Sequence, residues 1–260
     1  MKKIKNKGEL TTQQIVVITI LMASFAVLLF LLFRLNLGEQ TNAEICHNSV
    51  VLKDKSLLGS SLNCRTSYVC ISGGEKCNEI NPTQTFEIDL SKDDETVKNQ
   101  TMKAIADEMA QCWWMFGEGE FVYTKGISWV ENTACAVCSS VKFDETLGNN
   151  KITYQEFYEY LEKTKKDASQ TYLMYLYGES SLSSLPLKED FFKKDIDMNE
   201  RYVIYTGITK EGVFTLNIFG VLWESLTFER PDLNVKFLPP VPEKSSEMKN
   251  SKCGQFVTKA

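Results

Sequence analysis

The sequence predicts an α+β fold: one N-terminal transmembrane helix followed by a single disulfide-stapled extracytoplasmic domain. Three observations carry that expectation. Residues 15–33 form an apolar run, IVVITILMASFAVLLFLLF, with Thr19 and Ser24 as its only polar members. All eight cysteines lie beyond that run, and the chain after it mixes strand-like and helix-like segments. At ~1.5 Å per residue the run spans about 28 Å, close to the ~30 Å of bilayer hydrocarbon. It is apolar all round, whereas a soluble helix shows an amphipathic stripe.

Orientation follows from the flanks. Lys2, Lys3, Lys5 and Lys7 precede the run, and only Arg34 follows it before Lys53. The positive-inside bias then keeps the N-terminus in the cytoplasm. A cleavable signal would have an apolar region of roughly 7–15 residues and a small-x-small cleavage site, and neither pattern fits. The expected organisation is a basic stub at 1–14, a span at 15–33, an ectodomain at 39–242 and a flexible tail at 243–260. The first 38 residues hold five basic residues and one acid, which leaves 24 basic and 33 acidic residues beyond, a charge of about −9. An acidic domain gains nothing from counterion release on nucleic acid, so no nucleic-acid partner is expected.

Cys46, Cys64, Cys70, Cys77, Cys112, Cys135, Cys138 and Cys253 make an even set on the side assigned as exterior. In an oxidising compartment such a set reads first as a disulfide framework, although roughly a hundred pairings are open to it. Four of them cluster before Lys92, where Gly73 and Gly74 and a shortage of apolar residues suggest loops that cross-links would hold.

Along the ectodomain, residues 49–53 and 68–72 read as short strands, and 85–90 (TFEIDL) alternates in and out. A helix is expected from Val97 to Phe116, with Met102, Ile105, Met109, Cys112, Trp113 and Phe116 at helical spacing and Gly117 as its stop. ACAVCSSVKF resembles a strand or bend. Thr153 and Glu156 form a capping-box pattern that opens the next helix, which continues in a further helical stretch at 171–177. The same stretch, ETLGNNKITYQE, superficially resembles a calcium loop, but Leu147 and Asn150 stand where an oxygen ligand and the turn glycine belong. Residues 201–208 and 213–219 read as a hairpin turned at Gly212. Prolines keep 231–242 extended, and the Lys- and Ser-rich tail is expected to be mobile unless Cys253 ties it back.

Few residues suggest chemistry. Cys135 and Cys138 have the spacing of a redox-active pair or of half a zinc site, but no second such pair exists, and the one histidine, His47, is remote in sequence. Trp113, Trp114 and Phe116, beside Gly117 and Gly119, could line a pocket or interface; packing in the core is the competing reading. Asp107 and Glu108 are adjacent and point about 100° apart on a helix, which does not make a glycosidase pair. No metalloprotease helix motif, nucleophile elbow or phosphate-binding glycine loop occurs. The sequon at Asn99 bears only on surface chemistry. No cofactor or metal is expected.

The combination of KGELTT with the apolar run, then EICHNSVVL, NCRTSYVCISGG, INPTQT, KAIADEMAQCWWMFGEG, CAVCSSVKFDE and ITYQEFYEYLEKTKKD, resembles a family of uncharacterised single-pass membrane proteins from small-genome archaea. That resemblance covers roughly residues 7–220 and implies an archaeal envelope setting, without an activity or a functional residue. Lys7-Gly8-Glu9 before an apolar helix also resembles the processing site of archaeal pilin-like proteins, although the run begins several residues later than theirs. The sequence therefore points to a non-enzymatic, membrane-anchored module for binding or envelope assembly. Its expected partners are the lipid bilayer and an envelope protein, with a homo-oligomer open. A filament subunit cut after Gly8 and a thiol-disulfide oxidoreductase using Cys135 and Cys138 are the alternatives.

Overall fold

The structure, a computed structural model, describes residues 12–34, 41–56, 61–124, 133–148, 150–185, 187, 189–210, 217–218, 221–222, 228–230, 234–248 and 253–259. The chain divides into two units, Met1–Thr41 and Asn42–Ala260. The first contains helix α1, Thr12–Arg34. The expected transmembrane helix is not supported: among the described residues no helix is long and apolar enough to cross a membrane. Gly8 and Glu9 lie outside the described residues.

The second unit is a mixed α/β domain. Its elements are α2 (Asn42–Lys55), β1 (Ser67–Ser72), β2 (Gln84–Glu87), α3 (Asp94–Met115), β3 (Thr133–Phe143), β4 (Lys151–Thr153), α4 (Tyr154–Lys163), α5 (Tyr172–Tyr177), α6 (Glu189–Phe192), β5 (Asp195–Asp197), β6 (Arg201–Lys210), β7 (Asn217–Ile218), β8 (Val221–Leu222), β9 (Phe228–Arg230), β10 (Val235–Lys244) and β11 (Gln255–Phe256). The main sheet runs β2-β1-β3-β6-β10-β9, with β11 added beside β3. Strands β2, β1, β3 and β11 are parallel, whereas β3–β6, β6–β10 and β10–β9 are antiparallel.

One face of the sheet packs against α3 and α5, and α2 and α4 pack in turn against these helices. That core includes Val50, Met109, Phe116, Ile204 and Phe237. The opposite face, carrying Cys135, Val203, Tyr205, Leu238 and Val241, is met by Met248 and Cys253. Helix α3 begins three residues before the expected start because Asp93, inside the polar break, accepts from the Thr96 amide and caps it. It ends as expected, with Gly117 at φ +80°. The capping box of α4 forms with both reciprocal bonds.

Three expected elements differ. Residues 49–53 are helical, not a strand: Ala43, Cys46, Val50 and Lys53 recur every three to four residues as the buried side of α2, so the helical period overrides the local β preference of Val50-Val51. The hairpin turned at Gly212 is not the pairing of β6, because β3 and β10 occupy both its edges. Of the second run, only Asn217–Ile218 is described, and it pairs with Val221–Leu222. The tail is held: β10 continues to Lys244 and β11 pairs with β3.

Prolines inside β10 are accommodated by a bulge. The register shifts between Leu238 and Val241, so Pro239 and Pro240 sit where a missing N–H costs the ladder nothing. Buried tyrosines reach carbonyls at and just beyond the bulge: Tyr177 donates to Pro240 O (3.2 Å) and Tyr154 to Pro242 O (3.3 Å).

Candidate functional site

The cysteines form four disulfides: Cys46–Cys64, Cys70–Cys77, Cys112–Cys138 and Cys135–Cys253. All eight are paired. The CxxC disulfide that the spacing of Cys135 and Cys138 allows is therefore not formed. These residues sit on a strand, not at a helix N-terminus, and a bulge between Val137 and Ser139 breaks the alternation. Cys135 faces the tail and Cys138 faces α3. Neither cysteine is available to a metal, and among the described residues no group of three or more His, Cys, Asp or Glu could hold one.

The aromatic cluster proves to be mostly core. Trp113 and Phe116 are buried, and Phe116 meets Tyr123 edge-on at 4.9 Å. Trp114 is the partly exposed member. Its indole stacks on His47 at 4.3 Å with 7° between planes, and its carbonyl lies 2.7 Å from His47 Nδ1. A carbonyl only accepts, so that contact places the proton on Nδ1. The lone histidine thus clamps α2 to the end of α3.

Calcium binding at 145–156 is disfavoured by the engagement of Glu156. Its Oε2 accepts from the Thr153 amide at 2.7 Å, and its Oε1 pairs with Lys98 at 2.7 Å. Just upstream, Asp144 ends β3 and ties it to the glycine turn after β1. Its Oδ2 accepts from the Ser72 hydroxyl and the Gly73 and Glu75 amides, each at 2.9 Å. Its Oδ1 accepts from the Thr146 amide and hydroxyl and the Leu147 amide. Burial pushes this carboxyl up, but the hydrogen bonds from Thr146, Glu75, Ser72 and Gly73 outweigh it and hold it below its usual range. With six donors in place it acts as a joint and has no capacity left for a ligand.

Glu108 is the opposite case. It is buried on α3 and faces the β3 bulge, and its Oε1 has no hydrogen-bond partner. Burial pushes its carboxyl up to about 7; the Ser139 hydroxyl offsets only part of this, and neighbouring Asp107 adds to it.

A cleft of about 560 Å³ opens where the antiparallel β4–β5 pair meets the end of β10. Lys151, Lys194 and Lys244 line it together with Asp195, Asp197 and Glu247. Asp197 accepts from the Asn199 amide and side chain at 3.0 and 3.1 Å. The backbone hydrogen bond from Asn199 leads the causes that keep its carboxyl low, with Lys244 and Lys142 contributing charge. The Tyr154 hydroxyl at the cleft is already engaged with Pro242. This lining offers hydrogen bonds and charges of both signs, not a nucleophile with its base. Sequence reading passed over it because KDIDMN looked merely charged; the available signal was Ile196 and Met198 alternating with polar partners.

No protein-family model, curated protein or solved structure matches the chain.

Proposed function

We propose that the chain is a non-enzymatic binding or assembly module of an oxidising, extracytoplasmic compartment of the cell envelope. One observation carries this reading: all eight cysteines are committed to four disulfides that fasten helix to loop, turn to strand, helix to strand, and strand to tail. Reducing compartments keep thiols free, so a framework of this kind belongs outside them. The mixed-charge cleft at the β4–β5 pair offers a small polar ligand hydrogen bonds and charges of both signs.

The test is the intact mass of the chain from its native source, alkylated before reduction and then mapped. Eight protected cysteines in the four pairings are expected. Native chains that take up alkylating agent at these cysteines would place the protein in a reducing compartment and end this reading.

A filament subunit processed after Gly8 is the second reading. It draws on α1, where Ile18, Ile20, Leu21, Met22 and Phe25 are between 49% and 67% exposed and call for cover by another chain. A mature N-terminus at Glu9 in the same mass spectrum, with sedimenting filaments, is its expected signature, and an intact lysine stub would remove it.

A further inference from the structure

We propose that the Cys135–Cys253 disulfide is a redox-operated clasp: a dithiol reduces it ahead of the other three, and the closing strand, residues 253–259, then leaves the edge of β3. The inference rests on the oxidised framework of the proposed function and adds to it the one cross-link placed to open.

Access sets the order of reduction. Seven of the cysteines are at most 5% exposed, and Cys253 alone is partly exposed. In Cys46–Cys64, Cys70–Cys77 and Cys112–Cys138 both partners are therefore buried, and a thiolate reaches them only after the domain loosens. Thiol–disulfide exchange needs access to the attacked sulfur, which the fold grants at Cys253. A thiolate of the dithiol attacks Cys253 Sγ, breaks the S–S bond and releases Cys135 as a thiolate. The second thiol then attacks the mixed disulfide, expels Cys253 as a thiolate and closes a cyclic disulfide. Two electrons pass to the cystine, the two protons of the dithiol end on Cys135 and Cys253, and the dithiol is oxidised.

The strand behind the clasp has little else to hold it. None of the residues from Cys253 to Lys259 is buried, Phe256 is half exposed (50%), and Val257 reaches the main core while staying partly exposed. Its attachments are hydrogen bonds. The Gly254 amide donates to Thr133 O at 3.0 Å, the Val257 amide to Cys135 O at 2.9 Å and the Lys259 amide to Cys64 O at 3.0 Å, and Lys259 O accepts from the Thr66 amide at 2.9 Å. The Thr258 hydroxyl accepts from the Val137 amide at 3.0 Å. Bonds of this kind at a partly exposed edge return less than the entropy lost in ordering the backbone that makes them. The disulfide offsets that loss by keeping Cys253 beside Cys135 across 118 residues of sequence.

Opening changes one stretch of the sheet. Strand β1 pairs with β3 from Ser139 to Phe143, and the closing strand pairs with Ala134 and Cys135, so the two share an edge of β3. Departure leaves Thr133 O, Cys135 O and the Val137 amide unpaired there, while β6 stays paired along the other edge. A bare row of backbone groups is open to pairing with extended chains, and the clasp decides when it is bare.

The test treats the isotope-labelled, oxidised full-length chain with increasing dithiothreitol under native conditions. Aliquots are quenched with an alkylating agent and mapped, and amide exchange is followed by NMR. Cys135 and Cys253 are expected to be labelled first, with exchange at the Thr66, Val137, Gly254, Val257 and Lys259 amides accelerated about tenfold or more and the β6–β10 amides unchanged. Cys253→Ser should reproduce that exchange pattern without reductant. Another pair reduced first, all four lost together, or protection at the five amides that survives both treatments overturns the proposal. Alkylation before the dithiol is added keeps the two readings apart: label at that stage ends the oxidised-compartment reading and the clasp with it, whereas protected cysteines reduced in the wrong order overturn the clasp alone.

Discussion

Replacing Glu108 with glutamine should stabilise the folded chain above neutral pH. In the fold its carboxyl is lifted from 4.5 to about 7, chiefly by burial. A group whose folded value is raised contributes stability that is complete below the unfolded value. That stability is lost as pH rises through the folded one, because ionisation must then occur in an environment that resists it. The window is therefore pH 4.5 to about 7, and at ~1.4 kcal/mol per pH unit the loss across it is about 3 kcal/mol. Glutamine keeps the shape and polarity but has no proton to lose. E108Q should match the native chain near pH 4.5 and exceed it by about 3 kcal/mol at pH 8, roughly 6–12 °C in Tm for a domain of this size. Calorimetry of both oxidised chains at half-unit pH steps measures the difference curve, which cancels every other titrating group. Parallel curves, or an E108Q chain that is weaker at pH 8, would refute the argument that burial dominates over the Ser139 hydroxyl at Glu108.

Asp144→Asn should cost about 3 kcal/mol or more of unfolding free energy, read as a lower guanidinium midpoint at unchanged slope, because either amide orientation points an NH₂ at three donors that now meet an oxygen; an unmoved midpoint would show the joint to be dispensable. Gly117→Ala should cost about 2 kcal/mol, since φ is +80° and the new Cβ would lie 2.3 Å from Phe121 Cδ2. Trp114 fluorescence should report the displaced Phe121 and His47, and a spectrum and Tm equal to the parent's would contradict this.

How much was legible can be judged element by element. Helix α3 could be read because its apolar residues follow one period and its stop is a glycine, both local properties. The α4 cap was equally local: Thr153 and Glu156 sit three apart and bond each other's backbone. Strand β6 was legible as a strand but not in its pairing, because alternation says that a strand has two faces and nothing about which neighbours fill its edges. Residues 49–53 misled because two adjacent valines favour a strand locally, while the burial that makes them helical comes from Cys46 and α3. Of the suggested site residues, Trp113 and Phe116 were legible as core, whereas the cleft at the β4–β5 pair joins residues nearly a hundred positions apart, and the alternation of Ile196 and Met198 marks a strand without saying what it meets.

By itself the sequence determined the composition of the parts: an apolar helix at the start, an acidic domain beyond it, and an even set of cysteines suited to disulfides. Periodicity, capping and charge are properties of neighbouring residues, and the chain states them directly. Only the tertiary structure decided which cysteine met which, turning an apparent CxxC pair into two unrelated disulfides, and only it placed the closing strand beside the first half of β3. Pairing depends on Cα separations across the folded sheet, and 118 residues lie between Cys135 and Cys253. No local pattern encodes such a distance, because the contacts that bring the two cysteines together are made by the whole sheet at once.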